Sequence, residues 1–365
     1  SFFSALSPRV LGPASDGRAL LVGRVVVAFP IQKEQPENFM QGMIRLLAIA
    51  AIAAGLLSPQ MAVAGDQKSV LITGASTGIG RNLAEALAEK GYHVYAGARK
   101  DKDLAELGAI ENITAVRLDV TKQDQIDAAV EKIKSDGGGL WGLVNNAGVG
   151  GGGPVVETPI GDQNFVFRVN VEGVYRTTQA FAPLVIESKG RIVTTGSIAG
   201  ILAGPGWSAY SGSKHAMEAF TDALAGEMEP LGVGVSVVEP GNYQSNIRRT
   251  SVSRAFEKVK AAGGEITEEM KQAYEATAQR ETSYKEPDEV TDAFMHALFD
   301  EAPLRRYMVV PNEEEQMWTI RQAIVELTQL NEWGPYSYSR DELVEMLDNV
   351  LAGEPPVADD DSAEQ

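Results

Sequence analysis

Tyr210 and Lys214 stand at i and i+4 in the run Ser208-Ala209-Tyr210-Ser211-Gly212-Ser213-Lys214, with Ser197 upstream in the same stretch. On a helix that spacing puts both side chains on one face, within reach of a shared substrate. A phenol ordinarily titrates near pKa ~10, and a fixed ammonium beside it favours the phenolate. The pair therefore predicts a tyrosine drawn down toward neutrality, where a side chain can give and take a proton at physiological pH. Such pairs also arise by chance, so the reading depends on the elements that hold this one in place.

Those elements alternate. Ser69-Val70-Leu71-Ile72-Thr73 is an apolar, β-branched run suited to a buried parallel strand. It leads into Gly74-Ala75-Ser76-Thr77-Gly78-Ile79-Gly80, then a helical pattern from Arg81 to Lys90 with Gly91 at the C-cap position. Further strands are predicted at 93–98, 113–118, 140–145, 191–195, 233–238 and 305–310. Helices are predicted at 123–135, 162–188 and 209–229. Strands and helices in alternation with short links predict an α/β, doubly wound parallel sheet flanked by helices.

Gly74, Gly78 and Gly80 leave room for an anion at the N-terminus of the helix that follows, where the helix dipole favours it. Their spacing, G-x-x-x-G-x-G, is neither the common G-x-G-x-x-G fingerprint nor a P-loop, yet its place after a buried strand points to a dinucleotide phosphate. At the end of the next strand an acid would bond the ribose of NAD. Ala98 occupies that place and Arg99 follows. A guanidinium there suits a 2′-phosphate, which makes NADP(H) the expected cofactor and NAD(H) the alternative. The competing reading is that Arg99 is a solvated loop charge.

The 365 residues suffice for one large or two modest domains. A net charge of −18 with no basic stripe argues against nucleic acid, but not against an anionic cofactor, which needs only local positive potential. With no cysteine there is no disulfide, thiolate nucleophile or Cys-based metal site. His93, His215 and His296 lack ligand-like spacing, so no metal is expected.

In their order, these residues resemble the short-chain dehydrogenase/reductase family in its compact branch, over roughly 68–310. The matching motifs are the glycine turn 73–80, Asp119-Val120, Asn145-Asn146-Ala147-Gly148, Asn170, Ser197, Tyr210 with Lys214, and Pro240-Gly241. The resemblance implies a Rossmann-like fold with ligands at the carboxyl edge of the sheet. Gly74, Ser76, Thr77, Gly78, Ile79 and Gly80 would bind the dinucleotide together with Arg99. Asp119 and Val120 would hold its adenine end, and Asn146, Ala147 and Gly148 would form the floor beneath it. Pro240 and Gly241 would border the nicotinamide, with Ser245 where the family often has threonine. Ser197 would fix the substrate oxygen near Tyr210, and Tyr210 would exchange the proton. Lys214 would grip the nicotinamide ribose and lower the Tyr210 pKa. Asn170 would hold a water linking Lys214 to solvent. Family members usually self-associate through two long helices, so a homodimer or homotetramer is expected.

Between Ser197 and Tyr210 lie Ile198, Ile201, Leu202, Pro205 and Trp207, with almost nothing charged. They read as walls for an apolar alcohol or carbonyl compound, or equally as packing against the core or a neighbouring subunit. The stretch 243–284 is polar and helical, a candidate lid. Beyond 311 two amphipathic helices, 317–330 and 341–351, are read as closing the cleft or making a subunit contact. The aromatic link 333–338 is expected to pack on the core, and 357–365 reads as an acidic disordered tail. The catalytic domain is thus 66–312 and the helical extension 313–365.

Residues 1–42 form an unassigned extension, non-native or disordered in expectation, with an unplaced apolar run at 19–29. Met43 to Ala64 follows a signal-peptide pattern, with Arg45, an apolar core and Ala62-Val63-Ala64. That core falls short of the about 20 residues of a membrane span. It predicts an exported or periplasmic protein, whereas translation from Met61 predicts a cytoplasmic one. The expected function is an NADP(H)-dependent oxidoreductase interconverting an apolar secondary alcohol and its ketone, or an aldehyde/alcohol pair. A non-catalytic dinucleotide sensor is opposed by the presence of Ser197, Tyr210 and Lys214 together. An epimerase or dehydratase of the extended branch is opposed by the glycine spacing.

Overall fold

The β-branched runs form strands in a computed structural model that describes residues 17–22, 25–30 and 67–353. Two units are distinguished, Ser1–Ala64 and Gly65–Gln365. In the first, the run that the sequence pattern left unplaced forms β1 (Gly17–Val22) and β2 (Val25–Pro30), antiparallel with Val22 opposite Val25. The signal-like segment 43–64 and the acidic tail 357–365 lie outside the described residues.

The second unit holds β3 (Ser69–Ile72), β4 (His93–Ala98), β5 (Ile113–Arg117), β6 (Gly142–Asn145), β7 (Arg191–Thr195), β8 (Gly234–Pro240) and β9 (Arg306–Val309). They form one parallel sheet in the order β5-β4-β3-β6-β7-β8-β9. Successive strand residues point to opposite faces, and both faces are covered. On one, Val70, Ile72, Val94 and Val144 pack against α1 (Gly78–Glu89), against Leu107 of α2 (Asp101–Gly108), and against a helix near the end of the domain, Asp288–Phe299. On the other, Leu71, Tyr95, Leu143 and Ile192 meet α3 (Gln123–Asp136), α5 (Gly173–Ser188) and α6 (Ser208–Met228).

The predicted helix at 162–188 is three pieces. It comprises α4 (Ile160–Phe167), a π turn over Arg168–Glu172 and α5, and the turn carries Asn170. The polar stretch after β8 gives α7 (Ile247–Ala261) and α8 (Glu268–Thr282). Asp288–Phe299 is then α9, and α10 (Glu313–Leu330) and α11 (Arg340–Leu351) close the described chain. The link between the last two corrects an expectation. Trp333 and Tyr336 are 94% and 86% exposed instead of packing on the core, because Asn331 ties the link to itself through Tyr338. Among the described residues no helix is long and apolar enough to cross a membrane.

The sequence pattern did not single out α9, yet it seals one face. Val290, Phe294, Ala297 and Leu298 are wholly buried, and the Leu298 carbonyl accepts a hydrogen bond from the Trp141 indole at 2.8 Å. Phe294→Ala is expected to cost about 3–5 kcal/mol of stability, read as a lower denaturation midpoint. A loss under about 1 kcal/mol would show that this helix is not part of the core.

Candidate active site

The sheet order reverses between β3 and β6, and the loops at their carboxyl ends open the crevice where doubly wound sheets take ligands. After β3 the chain turns through Gly74 and Gly78, both at positive φ, into α1. A side chain at Gly80 would strike the Asn146 amide and come within 2.6 Å of the Gly74 carbonyl. One at Gly74 would lie 2.8 Å from the Ala147 backbone. The N-terminus of α1 has no capping side chain and no acid in its first turn, so its unpaired N–H groups and dipole remain for an anion. That bare cradle fits a dinucleotide phosphate. Ser76, Thr77 and Ile79 belong to the same turn, and Ser245 stands beside Gly78.

Thr73 braces the floor. Its hydroxyl accepts from the backbone N–H groups of Asn146 and Ala147, both at 3.0 Å, while the Asn146 amide donates to the Thr73 and Gly74 carbonyls. Gly148 follows them toward the Asn170 side chain. At the far end of the crevice Arg99 lies 3.8 Å from Asp119. Burial pushes the Asp119 carboxyl up, but Thr121 hydrogen bonds and the Arg99 and Lys122 charges hold it below its ordinary value. Val120 is buried against Val149 and Val169, with Gly173 close enough that a side chain there would meet it at 2.6 Å.

Ser197, Tyr210 and Lys214 converge from β7 and α6. The Lys214 ammonium is buried, donates to the Thr195 carbonyl at 2.7 Å and lies 5.8 Å from the Tyr210 ring. Burial lowers its pKa to about 8, opposed by Glu218 one turn further along α6. Tyr210 departs from expectation. Burial raises its pKa, and the opposing pulls come from the nearby Ser197 hydroxyl and the charge of Arg248, not from Lys214. Desolvation of the phenolate outweighs these pulls.

Asn170 is fully engaged by the fold. Its amide nitrogen donates to the Val149 carbonyl and the Ser213 hydroxyl, both at 3.0 Å, and its oxygen accepts from the Val149 N–H at 2.8 Å. Both donor hydrogens are thus in use, and the side chain ties the loop after β6 to α6. Of the apolar residues upstream of Tyr210, Ile198 is buried, Ile201 and Leu202 are half-buried, and Trp207 stands open beside Tyr210 with ring centroids 6.3 Å apart. Pro240 and Gly241 end β8 against Glu315 of α10.

Sequence reasoning missed several residues here. Glu218 and Glu239 lie behind Lys214, each with a buried oxygen that has no donor. Burial and the neighbouring Glu218 push the Glu239 carboxyl well above the ordinary range, with Asp222 adding to this and Arg306 opposing it. A proton held between the two carboxylates satisfies both oxygens. The spacing of Glu218, i+4 from Lys214, was a readable signal; its pairing with β8 was not.

Residues 68–255 match the family model described as short chain dehydrogenase. The mitochondrial D-beta-hydroxybutyrate dehydrogenase of Bos taurus is 34% identical over 314 residues, spanning 79% of this chain and 89% of that protein. The 3beta-hydroxysteroid dehydrogenase dhs-16 of Caenorhabditis elegans is 34% identical over 268 residues, 67% of this chain and 69% of that protein. Among solved structures, a short chain dehydrogenase/reductase from Burkholderia phymatum in complex with NAD has a TM-score of 0.61 at 28% identity, covering 75% of this chain and 99% of that one.

The carboxylate pair gives a pH test. A raised folded-state pKa contributes stability that is complete below the unfolded value, roughly 4.3, and is lost as pH rises through the folded one. The melting temperature of the parent should therefore fall as pH rises above the ordinary carboxylate range. Glu239→Gln, which has no proton to lose, should fall less, with a gap that widens toward alkaline pH. Parallel curves would remove the shared proton.

Proposed function

The chain belongs to the short-chain dehydrogenase/reductase family, and on that premise we propose an NADP(H)-dependent enzyme that interconverts a largely apolar secondary alcohol and its ketone, with Tyr210 as the proton carrier. It is an oxidoreductase acting on CH–OH groups. The relatives' names, a hydroxybutyrate and a hydroxysteroid dehydrogenase, both describe hydroxylated substrates. The observation that carries the proposal is the convergence of Ser197, Tyr210 and a buried Lys214 at the mouth of the crevice.

When bound, the dinucleotide supplies hydride chemistry at its nicotinamide. The chain's own residues do the rest. Gly74, Gly78 and Gly80 with the N-terminus of α1 would hold the phosphates, and Asp119 and Val120 the adenine end. Asn146, Ala147 and Gly148 would support the ring system, and Pro240, Gly241 and Ser245 would border the nicotinamide. The Ser197 hydroxyl would orient the substrate oxygen, and the Tyr210 hydroxyl would pass its proton to a ketone oxygen or take one from an alcohol. Lys214 has two N–H groups beyond the one on Thr195, available to ribose hydroxyls. Turned to them, its charge would favour the tyrosinate that burial now opposes. Asn170 would act by holding the Val149 loop against α6. Self-association through α5 and α6 belongs to the same proposal.

The preference for NADP(H) is supported by the absence of an acid at the end of β4, where Ala98 stands, and by the largely solvent-accessible Arg99 side chain beside the adenosine end.

Tyr210→Phe is expected to lower kcat with lipophilic ketones about 100- to 10,000-fold while NADPH still binds, as followed by its fluorescence. Parent-like turnover would eliminate the proton role. Arg99→Asp is expected to weaken NADP(H) binding about 10-fold or more and move preference toward NAD(H). Unchanged NADP(H) affinity would refute the phosphate contact.

A further inference from the structure

The crevice beside Tyr210 holds a cation with no ion-pair partner among the described residues. Arg248 is the second residue of α7 and is half-buried. Its guanidinium lies over the Trp207 ring, 4.8 Å from the centroid, on the ring that meets Tyr210 edge-on. One of its N–H groups donates to the Asn242 side-chain oxygen at 2.8 Å. Asn242 is itself clamped, since its backbone and side-chain nitrogens both donate to Glu315 at 2.9 Å. Glu315 is buried near the start of α10. The aim of the guanidinium is thus fixed by an aromatic face on one side and by the C-terminal extension on the other.

A counter-charge is what it lacks. Among the described residues Arg248 forms no side-chain ion pair; the carboxylate nearest its backbone, Glu281, accepts the N–H groups of Arg248 and Arg249 and so caps α7. A guanidinium has five N–H donors in a planar fork that matches a carboxylate with two parallel hydrogen bonds, and only one is committed to Asn242. The dinucleotide phosphates have a different cation at hand. Arg249, not Arg248, lines the cavity beside Gly78, Ser245 and Asn246.

We propose that Arg248 receives a carboxylate of the substrate, so that the alcohol or ketone handled at Tyr210 is a hydroxy acid or oxo acid whose remainder is apolar. The proposal rests on the proton role given to Tyr210 above and adds a charged end to the substrate. Trp207, exposed and stacked under the guanidinium, offers an apolar face beside it. The charge of Arg248 also reaches the Tyr210 hydroxyl and loosens its proton, so this residue bears on both recognition and proton transfer.

Steady-state kinetics of the full chain with NADPH test it, using 3-oxobutyrate and 3-oxohexanoate each against its methyl ester. The parent is expected to favour acid over ester in kcat/KM by about 10- to 100-fold. Arg248→Met should erase that ratio mainly through KM, and Arg248→Lys should restore part of it. The variant should also show a higher apparent pKa in its pH–rate profile, a change that lost packing alone does not produce. A parent that reduces the esters as well as the acids, or a variant that keeps the acid preference, overturns the proposal and leaves the role of Tyr210 standing. So does loss of NADPH binding in Arg248→Met, which would give the cation to the cofactor. Calorimetric titration of the NADP+-loaded protein with 3-hydroxybutyrate reads the same contact without turnover, and equal affinity in parent and Arg248→Met counts against it. Failure of the underlying reading looks different: Tyr210→Phe would then reduce every probe at the parent rate.

Discussion

A lysine ammonium held in the interior is the constraint from which the rest of this site follows. Removing a charge from water costs several kcal/mol, and at Lys214 the Thr195 carbonyl and the nearby Glu218 offset it. Both depend on the fold. Thr195 is the last residue of β7, whose register on β6 and β8 is set by the alternation of side chains between the two faces. Glu218 sits one turn along the same helix, which packs Met217, Phe220 and Leu224 against the sheet. A slip in either element would leave the ammonium unpartnered. The pKa of about 8 expresses a compromise between burial, which favours the neutral amine, and the Glu218 charge, which favours the ammonium.

The carboxylates behind Lys214 extend the same reasoning into the sheet. Glu239 is the penultimate residue of β8, next to the Pro240-Gly241 turn, while Arg306 on β9 reaches Asp222 at 2.6 Å, Glu218 at 3.2 Å and Glu239 only at 3.8 Å. One strong cation thus serves three acids, and the acid left least served keeps its proton. On the other side of that turn, Glu315 braces Asn242. The turn bordering the crevice is held by acidic side chains from both directions, one of them from a helix beyond the compact domain. This contact sets the start of α10 against the turn that follows β8.

How much of this was legible follows from the range of each interaction. The seven strands of the parallel sheet announce themselves locally, through short runs rich in apolar and β-branched residues, and the structure repeats them within a residue or two. The helix α9 was equally local, with Val290, Phe294, Ala297 and Leu298 at helical spacing, and was simply not picked out. The exposure of Trp333 and Tyr336 was not legible, because aromatic content alone does not say whether a groove exists to receive it. The direction of the Tyr210 pKa was misjudged for a physical reason. Sequence spacing reports that a cation is near, but the opposing term, burial, depends on what the remaining chain brings over the site. Arg248 went unseen on the same account, since nothing in Asn246-Ile247-Arg248-Arg249 says that α7 returns to Trp207.

That return bears on a contrast that composition alone made awkward, a chain with net charge −18 expected to bind an anionic cofactor. The positive charge is concentrated where it is needed. Arg99 lies beside Asp119, Arg249 beside the glycine turn and Arg248 beside Trp207 and the tyrosine, and Arg254 reaches the Gly150 carbonyl and the Phe165 ring. Arg254 is lowered by burial and further by the like charge of Arg99, so these cations feel one another across the crevice. Cations brought together at some cost to each other make a local field in low-dielectric walls, and such a field draws anions whatever the sign of the distant surface. The exposed acidic residues, some of them in i,i+3 and i,i+4 pairs, are screened within about 10 Å and leave that field intact.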